Sequence, residues 1–421
     1  MLGALALGAH AHAVRDSGSS RPTAESVDEA FRLAVAEKRV PGIAAIALNR
    51  DSSVIYNNSW GTINIEDPSS AAVTSSTKMA IASMTKSVVA VAALQLVEQD
   101  KLRFDDLVEH YLPSWKNVSV LEGFDAEGQP ILRAPKTKAT ILNLFTHTTS
   151  QAYEFLDEKV ARWDKWAAQQ PVRPAQPLVA DPGAGWFYGY DIDTLGNVVE
   201  TISGLRLDAY MEHNIFRPLG LKNSGFIEAE MYAHRRTDDT NSNSSITATP
   251  GPSVGQPTEV PSGGGFLVST IDDYANYLVA LINWGTHPTS GVTILKSSTV
   301  KSYLFADLLP RAIAGDGSNS CNFTQKGPGV GVFNSTNPSF TRSAEFLPGV
   351  DKGWTASWLT NNEDMPGRRR AGSGAWAGIW NLYYWVDIKS GKLGAVFTNL
   401  LPFVDPEVMA LFDKLEEFVY A

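Results

Sequence analysis

Ser83 and Lys86, three residues apart, head an almost wholly apolar run, Val88-Val89-Ala90-Val91-Ala92-Ala93-Leu94-Gln95-Leu96-Val97. Read as a helix, the run is apolar on every side and belongs in a protein core. A helix places residues i and i+3 on one face, so the lysine amine lies beside the serine hydroxyl. Both sit at the positive end of the helix dipole. A hydroxyl beside an amine that can take its proton is an activated nucleophile. The chain therefore reads as an enzyme.

The S-x-x-K spacing alone is not decisive, because Ser75–Lys78 and Ser298–Lys301 share it. Ser75 lies in a small, polar stretch, and Ser298 leads into a short helix at most. Only Ser83 opens a long apolar helix. Gly251-Pro252-Ser253-Val254-Gly255 spells a second nucleophile pattern, G-x-S-x-G. That elbow needs a strand before it and a helix after it, and here it lies in a Pro- and Ser-rich flap, so it is set aside.

Composition narrows the class further. A net charge of −10 argues against nucleic acid and anionic membrane as partners, since both select clustered Lys and Arg. The only basic run, Arg368-Arg369-Arg370, reads as a solvated turn. One cysteine, Cys321, excludes an intrachain disulfide. Scattered histidines without an HExxH pattern give no metal site, and no cofactor is expected. The apolar start, Met1 to Ala9, followed by Ala11-His12-Ala13, lacks a basic n-region, which favours the cytoplasm. N-x-S/T sites at Asn57, Asn117, Asn243, Asn322 and Asn334 keep secretion as the alternative.

Element signals predict an α/β (α+β) fold: an antiparallel sheet built from both chain ends, flanked by N- and C-terminal helices, with an all-helical insertion. Residues 1–22 read as a disordered leader. Residues 23–100 and 290–421 form the sheet domain, and 101–289 a mainly helical domain with a flap at 237–265. Ser26-x-x-Glu29 has capping-box spacing for a first helix. Gly42–Leu48 and Val54–Ser59 read as a hairpin. Glu200–Phe216 and Ile271–Trp284 read as helices, and Trp354–Leu359, Ile379–Val386 and Gly394–Asn399 as strands. Asp405 caps a last helix with Pro406 at its first position.

Four further segments carry the functional reading: Leu144-Phe145-Thr146-His147-Thr148-Thr149-Ser150, Pro182-Gly183 with Tyr188-Gly189-Tyr190 after it, Pro261-Ser262-Gly263-Gly264-Gly265, and Trp376-Ala377-Gly378. With Ser83-x-x-Lys86, their order and spacing resemble the serine β-lactamase and penicillin-binding-protein superfamily over residues 25–421. The resemblance is nearest to the class C-like carboxylesterases (bacterial family VIII esterases) and to fungal acyltransferases that load a statin side chain. It implies Ser83 as the acylated nucleophile, Lys86 as its proton acceptor and Tyr188 as a second general acid–base. The implied oxyanion hole is the backbone N–H of Ser83 and of Ile379. Tyr190, Trp376, Ala377 and Gly378 are the implied substrate-binding residues, and His147 a structural one.

Two departures bear on substrate. Tyr190 stands where the family's Y-x-N asparagine holds a substrate carbonyl, and Trp376 stands where the K-T-G lysine pairs a substrate carboxylate. An indole offers an apolar face instead of a charge. The expected reaction is serine acyl transfer on esters or thioesters, with a small-molecule acyl donor and water or an alcohol as acceptor. An acyl-carrier protein is among the candidate donors. The alternatives are a β-lactamase or D-amino-acid peptidase, and a non-catalytic binding protein on the same fold.

Overall fold

Gly42–Asn49 is buried along its length up to Asn49, as expected of a short unbroken apolar run in a central strand. In the computed structural model, which describes residues 21–252, 261–313 and 329–421, it pairs antiparallel with Val54–Gly61 on one side and Lys392–Phe397 on the other. The N- and C-terminal parts of the chain are thereby joined in one sheet. Its seven strands run in the order Lys352–Trp354, Leu359–Asn361, Ser373–Gly378, Leu382–Asp387, Lys392–Phe397, Gly42–Asn49, Val54–Gly61.

Both faces are covered. Adjacent strand residues point to opposite faces, and Tyr383 packs on Phe412 of the C-terminal helix Pro406–Val419 at 5.4 Å. Its neighbour Tyr384 packs on Tyr274 of the helix Ile271–Ile282 at 5.3 Å. The first helix, Ala24–Ala36, joins the Phe412 side, where Phe31 stacks on Trp60 at 4.8 Å. The apolar helix after Ser83, Thr85–Glu98, is buried from Thr85 to Leu96 and packs against the helices Asp191–Ser203 and Leu207–Met211.

Several local expectations change. The first helix is capped by Thr23, whose side chain accepts from Ser26 N–H, so Ser26 closes the box instead of opening it. Gly204, at φ 69°, ends the helix Asp191–Ser203 inside the span expected to continue from Glu200 to Phe216. Trp354–Leu359 is a turn between two short paired strands. The 101–289 segment is not all helical: Val120–Phe124 pairs with Pro130–Arg133 across a turn at Gly128. Within the expected flap, Ile246–Pro252 pairs with Tyr232–Arg236. Ile271–Ile282 belongs by packing to the sheet. Residues 1–20 of the expected leader, Ser253 to Gly255 of the G-x-S-x-G pattern, and Cys321 lie outside the described residues.

The basic run is not a solvated turn throughout. Arg369 is 2% exposed and forks onto Glu416 of the last helix at 2.7 and 2.8 Å. Glu416 faces the core, and a buried carboxylate requires such a partner. Arg236 and Asp405 form a second fully buried pair.

His234, in Tyr232–Arg236, gives the fold an acid limit. Its Nδ1–H donates to Asn399 O at 3.3 Å, and its Nε2 accepts from Ile65 N–H at 3.3 Å. Only the neutral ring can do both. Burial pushes its pKa down to about 4, from about 6.5 in an unfolded chain. As pH falls, the unfolded chain takes up this proton first, so the contribution is whole above about pH 6.5 and lost toward about pH 4. The expected loss is about 2–3 kcal/mol. Urea midpoints near neutral pH and near pH 4.5, for wild type and His234→Gln, measure it: the variant should lack that share of the acid sensitivity. Equal losses in both would contradict the assignment.

Candidate active site

Ser83 sits in a short 3₁₀ turn, Ala82–Met84, that runs directly into the helix Thr85–Glu98. Ala82 is left-handed at φ 45°, an uncommon conformation for a residue with a Cβ. Its surroundings hold it there. Met79–Ala80 pairs with Val268–Ser269, Ile81 N–H donates to Leu267 O at 3.0 Å, and Leu267 N–H donates to Thr85 Oγ1 at 3.1 Å.

The helix spacing brings Lys86 to Ser83 as expected. Lys86 Nζ lies 3.2 Å from Ser83 Oγ, and the lysine is only 2% exposed. Two further partners complete its shell: Gly264 O at 2.6 Å and Tyr153 OH at 2.8 Å. An unprotonated amine has two N–H donors and one lone pair. In its unprotonated form, with those N–H groups directed at Gly264 O and Tyr153 OH, the amine would keep its lone pair for the serine hydroxyl.

Tyr153 was not found by reading the sequence. Its segment, Gln151-Ala152-Tyr153, follows the His147 stretch with no periodicity to mark it. Its backbone N–H donates to Tyr188 O at 3.2 Å, which ties the two tyrosines together. Burial, then the charge of Asp193, pushes the Tyr153 hydroxyl well above the ordinary phenol range, so it remains protonated.

Tyr188 faces Lys86 through its ring, with Nζ 5.0 Å from the centroid. Its hydroxyl oxygen accepts from Trp376 Nε1–H at 2.9 Å. Trp376 is only 6% exposed and packs edge-on to Tyr188 and Trp354, at 5.0 and 4.6 Å. Its N–H is thereby engaged by Tyr188. Tyr190 likewise turns its hydroxyl to Glu154 at 2.8 Å.

Trp376, Ala377 and Gly378 end the strand Ser373–Gly378, whose ladder to Leu382–Asp387 stops at Gly378 and Leu382. Ile379 is the first residue beyond it. A Cβ on Gly378 would fall 2.4 Å from Ile81 O, so glycine permits this strand end to approach the turn that carries Ser83. His147 is fully buried, with its Nδ1 3.4 Å from Asp191 Oδ2 and its ring 4.7 Å from that of Tyr188. Burial lowers the His147 pKa and keeps the ring neutral. It lies beneath Tyr188, as part of the scaffold.

A model of the Beta-lactamase family matches residues 27–416. Monacolin J acid methylbutanoyltransferase of Aspergillus terreus is 28% identical over 96% of this chain and 98% of its own length. Acyltransferase mokF of Monascus pilosus is 32% identical over 54% of this chain; the matched part spans 58% of mokF. Lovastatin esterase of Penicillium rubens is 30% identical over 48% of this chain and 52% of its own length. Among solved structures, a mutant of simvastatin synthase from Aspergillus terreus superposes with a TM-score of 0.78, 26% identity and coverage of 96% and 98% of the two chains. With that family match across nearly its whole length and with these relatives, the chain belongs to the Beta-lactamase family and is a serine acyl-transfer enzyme of its acyltransferase and esterase branch.

Proposed function

We propose that this enzyme moves an acyl group from a neutral ester or thioester onto Ser83 and then to an alcohol or water. The observation that carries this reading is the buried Lys86 amine, held by Gly264 O and Tyr153 OH and within hydrogen-bond distance of Ser83 Oγ. Ser83 Oγ attacks the acyl carbon as its proton passes to Lys86. The oxyanion is held by the backbone N–H groups of Ser83 and Ile379. Collapse breaks the bond from carbonyl carbon to leaving oxygen or sulfur, and the leaving group takes up a proton. Tyr188 suits that last step, because Trp376 occupies its oxygen as donor and leaves the phenol's own proton to be given. The acceptor's oxygen then attacks the acyl-enzyme, its proton enters the same relay, and Ser83 Oγ is released protonated.

Substrate class follows from the charges. An indole stands where an anionic substrate would need a cation, and Glu154 adds a carboxylate beside Tyr190. Arg370, the nearest sequence candidate for a replacement cation, pairs with Asp364 at 2.8 Å on the surface. It also precedes the opposite end of the strand from Gly378. An unpaired carboxylate in such a site costs several kcal/mol, roughly 10²-fold or more in binding. Small neutral acyl donors are therefore preferred. A thioester on an acyl-carrier protein is a compatible donor, since only the acyl end enters the site.

The test compares kcat/KM for nitrophenyl butyrate with that for a chromogenic cephalosporin, in wild type and Arg370→Ala. The ester should turn over at least about 10²-fold faster, with no change in Arg370→Ala. Efficient cephalosporin hydrolysis that disappears with Arg370 would instead establish a lactamase.

A further inference from the structure

The direction of the Lys86 lone pair depends on what fixes its two N–H groups. Tyr153 OH can donate or accept, whereas the Gly264 carbonyl can only accept. Gly264 O, at 2.6 Å, is therefore the partner that sets the amine's orientation. Gly264 lies in the turn between Pro261 and Leu267, with no regular ladder to hold it.

That turn is clamped to the first turn of the helix Asp191–Ser203. Asp193 Oδ1 accepts from Gly264 N–H at 3.0 Å and from the Ser262 hydroxyl. The contact is tight. A Cβ on Gly264 would fall 2.1 Å from Asp193 Oδ2, and one on Gly263 would fall 2.6 Å from Ile192 O. Asp193 Oδ2 itself is buried with no hydrogen-bond partner among the described residues.

We propose that Asp193 is a positioning residue for acyl transfer: its carboxylate holds the Gly264 carbonyl against Lys86 and so aims the amine's lone pair at Ser83. The inference rests on the reading of Lys86 as proton acceptor. Asp193 touches neither Ser83 nor the acyl group in this scheme. It acts through the Gly264 peptide, whose N–H it binds and whose C=O binds Lys86.

The experiment measures kcat, KM and thermal midpoint with nitrophenyl butyrate, together with the rate of Ser83 labelling by a phosphonate. The proteins are wild type, Asp193→Asn, Asp193→Ala, Gly264→Ala and the Asp193→Ala/Gly264→Ala double variant. Asparagine keeps an oxygen for Gly264 N–H and should retain activity within about fivefold. Alanine releases the turn, and misplacement of a catalytic group by about 1 Å costs on the order of 10²-fold. The loss should fall on kcat and the labelling rate, with KM within about twofold.

Gly264→Ala should lose a similar factor, because its methyl strikes the carboxylate. In the double variant the collision is absent, so the losses should not multiply. Should Asp193→Ala fail to fold, Ser262→Ala removes one bond of the clamp and should lower kcat several-fold at an unchanged thermal midpoint. Asp193→Asn as damaged as Asp193→Ala, losses confined to KM, or multiplicative losses in the double variant would each overturn the proposal. An active Lys86→Ala enzyme would overturn the underlying reading instead. An inactive Lys86→Ala beside a fully active Asp193→Ala would overturn only the clamp.

Discussion

Ser83→Ala should lose at least about 10³-fold in kcat with the fold unchanged, because no other group can carry the acyl intermediate. The substitution removes one oxygen of a half-buried residue from a turn that is held by Ile81, Leu267 and Thr85 backbone and side-chain bonds. None of these involves the Ser83 hydroxyl, so circular dichroism and the thermal midpoint should match wild type. The two other S-x-x-K serines provide the control. Ser75 and Ser298 lack a lysine held as Lys86 is, and alanine at either should leave turnover within about twofold. If phosphonate labels Ser75 and spares Ser83, the assignment fails.

Lys86→Ala carries the second large effect, roughly 10²–10⁴-fold in kcat, the range for a positioned general base. Tyr153→Phe is the informative companion. It keeps the ring, which stacks on Phe155 at 5.0 Å, and removes only the oxygen that accepts from Lys86. One of the two fixed N–H directions is lost while the Gly264 carbonyl remains, so a loss of about tenfold to 10²-fold is expected. In the Lys86→Ala background the same change should have almost no effect, since the oxygen then has no amine to orient. Tyr188→Phe should cost roughly 10²–10⁴-fold as well. Its hydroxyl is bonded to Trp376, not to the amine, so its loss should persist in part in the Tyr153→Phe background. Full non-additivity of Tyr188 and Tyr153 would show that both phenols act on the amine alone.

The Ser83–Lys86 pair was legible because both residues belong to one helical turn, and local spacing determines their approach. The hairpin Gly42–Asn49 with Val54–Gly61 and the last helix behind Asp405 were legible for the same reason: alternation, capping and turn chemistry are local. Tyr153 was not. Its distance from Lys86 in the chain is closed by the packing of the Asp191–Ser203 helix and the loop before it, which no local pattern reports. Trp376 shows the same limit in another form. Its place in the motif is evident, but the direction of its N–H, toward Tyr188, depends on the Phe333, Phe346 and Trp354 rings around it. The burial of Arg369 is not legible in the sequence, because its partner, Glu416, comes from the last helix, 47 residues further on. Composition shows a basic run; only tertiary structure shows which member turns inward.

The central claim is that the acyl group rests on Ser83 between donor and acceptor. Intact-mass spectrometry of the protein mixed with a short-chain acyl thioester tests it most directly, followed by peptide mapping and a chase with an alcohol. One added acyl mass is expected, located on Ser83, absent from Ser83→Ala and discharged by the alcohol with formation of the ester. Turnover of the thioester with no acyl mass on Ser83, or with the mass on another residue, would contradict it.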